Sequence, residues 1–176
     1  MTNNYPFHTA YVRALTSGNI PALRKLIRRA LRAKPQKEFF TGDKTGKPMT
    51  HFEELATAVW RTFEAGHVEH GRLFLAAGLP VDTLLPDVDG ITMDILWTPL
   101  DVTLFPGDGD RGGKLQLTRM LLAAGANPQR QIWGPALPEH STPSYVRTLG
   151  AARAFWEYGV PAEAFISLHP HLRARL

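Results

Sequence analysis

The sequence contains no cysteine. That excludes disulfides and thiolate metal sites, and it fits a chain working in a reducing compartment. No stretch comes near the roughly 20 consecutive apolar residues that a membrane span needs. Met1 to His8 shows neither the basic start nor the apolar stretch of a secretory leader, so the expected location is cytoplasmic and no membrane partner is expected. Serine is scarce too: Ser17, Ser141, Ser144 and Ser167 are all there are, and none lies in a Gly-x-Ser-x-Gly elbow. Charge is modest. The formal net charge of +4 and a pI near 9.6 permit an acidic partner without demanding one. With 176 residues, 44% of them hydrophobic, the chain can build one domain around a continuous core.

Partial motifs fail on their chemistry. Gly42-Asp43-Lys44-Thr45-Gly46-Lys47-Pro48 is one residue short between its glycines for a phosphate loop. It also places Pro48 where Ser or Thr would hold magnesium. Asp108-Gly109-Asp110 opens like a calcium loop, yet Arg119 stands where the bidentate Glu belongs. His67 and His70, spaced i, i+3, could bring two imidazoles together at a helix start, where His67 reads as a structural turn residue, and His169 and His171 flank Pro170 with no third ligand nearby. Glu53-Glu54 and Asp87/Asp89 fall in helix-start and turn contexts, where carboxylates are expected anyway. The expectation is a protein that is not an enzyme, with no catalytic residues, no cofactor and no metal.

What is present is punctuation for helices. In Thr98–Pro128, Thr98 can cap a helix that opens with Pro99, a residue suited to the first turn. Leu117, Met120, Leu121 and Ala124 then recur at i, i+3, i+4, i+7, which predicts one buried stripe. Gly125 supplies a left-handed helix end, and Pro128 prevents the helix from resuming. At Thr98-Pro99-Leu100 and Leu121-Leu122-Ala123-Ala124-Gly125-Ala126-Asn127 the segment resembles an ankyrin repeat. Asp101 stands in place of the family's His, and Asn127 in place of its Asp. The Thr-Pro-Leu start and the Gly-led exit favour ankyrin over tetratricopeptide or HEAT repeats. The resemblance implies an all-α helical solenoid with projecting hairpins or loops.

Aligning the helix-ending Gly78, Gly125 and Gly159 gives intervals of 47 and 34 residues, against a family period of about 33. This divides the single domain, residues 1–176, into units at about 7–34, 51–81, 97–128 and 131–161, with a tail at 162–176. The first unit pairs a short helix over Thr9–Leu15 with a strong one striped by Leu23, Leu26, Ile27, Ala30 and Leu31. It resembles an N-terminal cap with a polar outer face. Residues 35–50 read as an inserted loop. In the second unit, Ala65-Gly66-His67-Val68-Glu69 matches the family's inter-helix turn. Leu79 to Thr92 reads as an extended excursion with a hairpin tip at Asp87–Gly90. Phe105 to Gly113 lengthens the turn of the third unit. In the fourth, Thr142-Pro143 is the expected cap, and Ala151, Ala154, Phe155 and Tyr158 are the stripe.

Family usage implies binding through the exposed side of first helices and through hairpin tips. Carried over, it selects Trp60, Arg61, Glu64, Asp101, Asp89, Arg130 and Trp133 as partner-facing candidates; Trp and Arg are frequent interface anchors. Arg61, Asp89 and Arg130 are expected to be exposed, whereas core packing competes with partner contact for each Trp. The expected function is a non-catalytic protein-protein interaction module, in keeping with an inhibitor, immunity or anti-defence protein that masks another protein. The alternative is a nucleic-acid or acidic-surface binder using Arg24, Arg28, Arg29 and Arg32, part of the basic run over residues 24–37. That run otherwise reads as the solvated face of a capping helix. A third reading is an enzyme with a site between loops 35–50 and 106–113.

Overall fold

A computed structural model describes residues 6–33, 50–86, 96–105, 110–130, 141–165 and 167–176. Helix ends are set by local chemistry. Helix α1 spans Pro6–Thr16, and the Thr16 and Ser17 hydroxyls fold back onto the Val12 and Arg13 carbonyls at its close. Asn19 caps α2, Ile20–Arg32, by accepting from the Ala22 amide at 3.0 Å. Thr50 and Glu53 form a reciprocal capping box on α3, His51–Ala65. Gly66, at φ 76°, reverses the chain and lets the His67 amide reach the Thr62 carbonyl at 3.0 Å. Helix α4 follows at once, over Val68–Ala76.

Beyond it, β1 (Leu85–Pro86) pairs antiparallel with β2 (Leu96–Trp97), Leu85 opposite Trp97. The expected hairpin tip lies outside the described residues. Helix α5, Pro99–Leu104, opens with Pro99 and carries a second capping box, Thr98 with Asp101. Helix α6, Arg111–Ala123, ends at Gly125 (φ 90°), where the Ala126 amide bonds the Leu121 carbonyl at 3.0 Å. Thr142–Tyr145 is a 3-10 turn, α7 covers Leu149–Glu157, Ala162–Ala164 is another 3-10 turn, and α8 covers Pro170–Arg173. Apart from the two-residue strand pair, the described chain is all-α. No helix among the described residues is long and apolar enough to cross a membrane.

Four local expectations need correction. Residues 111–113 are the first turn of α6 and not loop, because the Asp110 carboxylate accepts from the Gly112 amide and starts the helix there. Thr142 caps no helix; Thr148 does, accepting from the Ala151 amide. Tyr158 is exposed, since α7 has ended and Gly159 turns the chain away. Ala124 is exposed as well, and Leu122 is buried in its stead.

Packing sorts the helices into two rows. Helices α1, α3 and α5 and the 142–145 turn lie side by side, and α2, α4, α6 and α7 form the second row against them. The core between the rows runs from Tyr11, Leu23 and Ile27 through Leu55, Phe63 and Phe74 to Leu117, Phe155 and Phe165. Glycine lets the rows close up. A methyl group at Gly71 would collide with Leu117, and one at Gly113 with the Gly66 carbonyl. Edge-on aromatics fill the first row: Trp97 meets Phe105 at 5.1 Å, Tyr145 at 5.5 Å and Trp60 at 6.4 Å. Such geometry adds about 0.5–1.5 kcal/mol per pair beyond area burial.

Candidate partner-binding face

The partner-facing candidates divide between interior and surface. Trp60 belongs to the aromatic cluster and is 1% exposed. Asp101, also 1% exposed, is the hub of a polar network. Its Oδ2 accepts from the Thr98 amide and hydroxyl at 2.8 Å each and from Arg130 Nη1 at 2.9 Å. Its Oδ1 accepts from the Thr142 hydroxyl at 2.6 Å. Arg130 is tied down further by donation from Nη2 to the Leu96 carbonyl at 2.9 Å, which leaves its side chain 17% exposed. Trp60 and Asp101 are therefore buried, and Arg130, expected to be exposed, is largely buried and bonded into the fold. The reason is the same in each case: an element distant in sequence covers the side chain. Asp89 and Trp133 lie outside the described residues.

Tyr145 borders this network. Its phenol is shifted upward, first by burial and then by the Asp101 carboxylate, with Arg147 opposing. The network links α5, β2 and the 142–145 turn.

Arg61 and Glu64 do reach the surface, on the outward edge of α3. Arg61 is 58% exposed and its guanidinium lies 3.4 Å from the Glu64 carboxylate. Beside them, α1 and α3 part into a cleft of about 220 Å³ edged by Val12, Thr16, Arg61, His67 and His70. Val12 is 44% exposed, an apolar group left at the rim. The two imidazoles cross edge-on with centroids 5.7 Å apart. Partial burial, then the neighbouring His67, lowers the pKa of His70 and favours its neutral form. Tyr11 forms the inner wall, its hydroxyl buried with no hydrogen-bond partner among the described residues and its pKa raised by burial and by Glu54. Around the cleft stand an apolar lip at Val12, the Arg61 guanidinium with Glu64 beside it, and the edges of the His67 and His70 imidazoles.

The basic run is also divided. Arg24 donates to the Ala76 and Ala77 carbonyls, at 3.1 and 3.4 Å, and so closes the C-terminal end of α4. Arg28, Arg29 and Arg32 are exposed, and Arg29 shares a second groove with Arg13 and Lys25. Among the described residues no three His, Asp or Glu side chains are grouped to hold a metal ion.

Sequence reasoning missed Val12, Thr16 and His70 as surface candidates. Val12 and Thr16 stand one helical turn apart on α1, but nothing in that spacing says which side of α1 meets α3. Compared with protein-family models, curated proteins and solved structures, the chain matches none.

Proposed function

We propose that this chain is an irregular ankyrin-type stack acting as a non-catalytic protein-binding module, one that masks a partner in the manner of an inhibitor. The observation that carries the reading is the cleft between α1 and α3, with exposed Val12 beside the Arg61–Glu64 pair. It sits on the outward edge of a row of first helices, where the resemblance of Thr98–Asn127 to an ankyrin repeat puts a binding surface. The recurring Thr caps on α3 and α5, and the glycine exits after α4, α6 and α7, support the repeat reading. A rim that mixes an apolar group with an ion pair and imidazoles suits the polar edge and apolar centre of a protein interface.

The test is capture of the tagged chain from its native lysate, with and without nuclease. One stoichiometric protein that survives nuclease, and is lost on Val12→Asp with Arg61→Glu while circular dichroism is unchanged, supports the reading. Material that disappears with nuclease replaces it with nucleic-acid binding through the basic run.

A further inference from the structure

Among the described residues, the α1–α2 end of the stack carries a second surface. Helices α1 and α2 meet at the Ser17–Asn19 turn and leave between them a groove of about 500 Å³. Each helix contributes one complete stripe at i, i+3, i+4, i+7. On α1 and the residue just after it these are Ala10, Arg13, Ala14 and Ser17; on α2 they are Ala22, Lys25, Leu26 and Arg29. The groove therefore follows both helices for two turns, about 10 Å. Its floor is Ala10, Ala14, Ala22 and Leu26, small enough in three of four places to let another backbone come close. Its edges carry Arg13 and Lys25, joined by Arg29, and among the described residues no carboxylate lines it.

We propose that this groove docks an amphipathic helix of the partner protein, with an apolar stripe flanked by Asp or Glu, and in making that proposal we rely on the protein-binding reading above. Shape and charge argue for that occupant. Paired stripes at helical spacing leave a trough that a third helix fills by setting its own i, i+3, i+4, i+7 anchors on the alanines and Leu26. Carboxylates on the flanks of that helix meet Arg13 and Lys25, which selects acidic over basic segments. A second copy of the chain does not fit by two-fold symmetry, because the same face would bring Arg13 and Lys25 against their own like charges. Nucleic acid fits less well, since its backbone would cross an apolar floor that offers no ring to stack on its bases.

The experiment uses the full chain and three fluorescent probes. One is an 18-residue peptide with Leu at i, i+3, i+4, i+7 and Glu on both flanks; the second has Lys for Glu; the third is an oligo-dT strand. Anisotropy is expected to show binding of the Glu peptide alone. Arg13→Glu with Lys25→Glu is expected to weaken it by at least about tenfold, about 1.4 kcal/mol. Ala22→Gln, which fills the floor without changing charge, is expected to weaken it too, and Arg28→Glu with Arg32→Glu to leave it unchanged. Circular dichroism of each variant verifies its fold. Equal binding of the Glu and Lys peptides overturns the proposal. So does equal weakening by the Arg28/Arg32 pair, which would mean diffuse charge, or tighter binding of oligo-dT. If the natural partner is lost with the Val12/Arg61 variant yet the Glu peptide ignores the groove, this inference fails and the protein-binding reading stands.

Discussion

Asp101 and Arg130 are 29 positions apart in the chain and meet inside it, Nη1 to Oδ2 at 2.9 Å, where only 1% of the aspartate side chain is exposed. The pair joins the first turn of α5 to the segment after α6, and the Thr142 hydroxyl completes the carboxylate's set of donors. Removing one partner strands the other away from water, so Arg130→Ala is expected to lower stability by about 3 kcal/mol. Thr142→Val, which deletes a single donor, should cost about 1–2 kcal/mol. Urea titration of both variants and the double variant measures their coupling. Additive losses would mean that the three side chains do not act as a network.

Close approach of backbones gives a second ordering. At Gly113 an added methyl meets the Gly66 carbonyl, which cannot swing aside, whereas at Gly125 it meets nothing within 4 Å. Gly113→Ala is therefore expected to cost about 3 kcal/mol through overpacking. Gly125→Ala bears only the left-handed conformation at φ 90°, about 1–2 kcal/mol. Thermal melts should place Gly113→Ala below Gly125→Ala, and the reverse order would refute the contact.

Arg24 and Arg28 look alike on one helix but should behave differently. Arg24 donates to two carbonyls at the end of α4, so Arg24→Met is expected to cost about 0.5–1 kcal/mol, an amount limited by its exposure to solvent. Arg28→Met should change stability by less than about 0.5 kcal/mol. Chemical denaturation of the two variants side by side decides it.

Two titrations bound the stable range. The pKa of His70 is lowered in the fold, so below its unfolded value of about 6.5 the unfolded chain takes up the proton first. Its contribution is complete above that pH and is lost as pH falls through the depressed folded value; His70→Gln should flatten that part of a stability–pH curve. Tyr11 and Tyr145 are raised. Their contribution is complete below pH 10 and lost as pH climbs from there through the raised folded values.

Tyr11 yields a further test at neutral pH. Among the described residues its buried hydroxyl has no hydrogen-bond partner, so Tyr11→Phe should be neutral or stabilising by up to about 1 kcal/mol. It should also remove part of the alkaline loss. A Tyr11→Phe variant that melts several degrees lower would show that the hydroxyl is satisfied after all.

Helix ends were legible in the sequence because the groups that decide them are neighbours in the chain. Thr98 and Asp101 satisfy each other across one turn, and Gly125 admits the backbone angle that lets Ala126 bond Leu121. No distant contact is needed for either. The caps at Asn19 and Thr148 are just as local, yet sequence reasoning places Asn19 only in a turn and the later cap at Thr142. The fate of a side chain was not legible in that way. Trp60, Asp101 and Arg130 carry the residue types of an interface, and the tertiary structure buried them because Trp97, Thr142 and Leu96 arrive from elsewhere to cover or bond them. Arg24 was joined to α4 by packing of the second row. The α1–α3 cleft and the α1–α2 groove likewise exist only once rigid helices are set side by side: a surface is a relation between elements, and chain order alone does not say which faces meet.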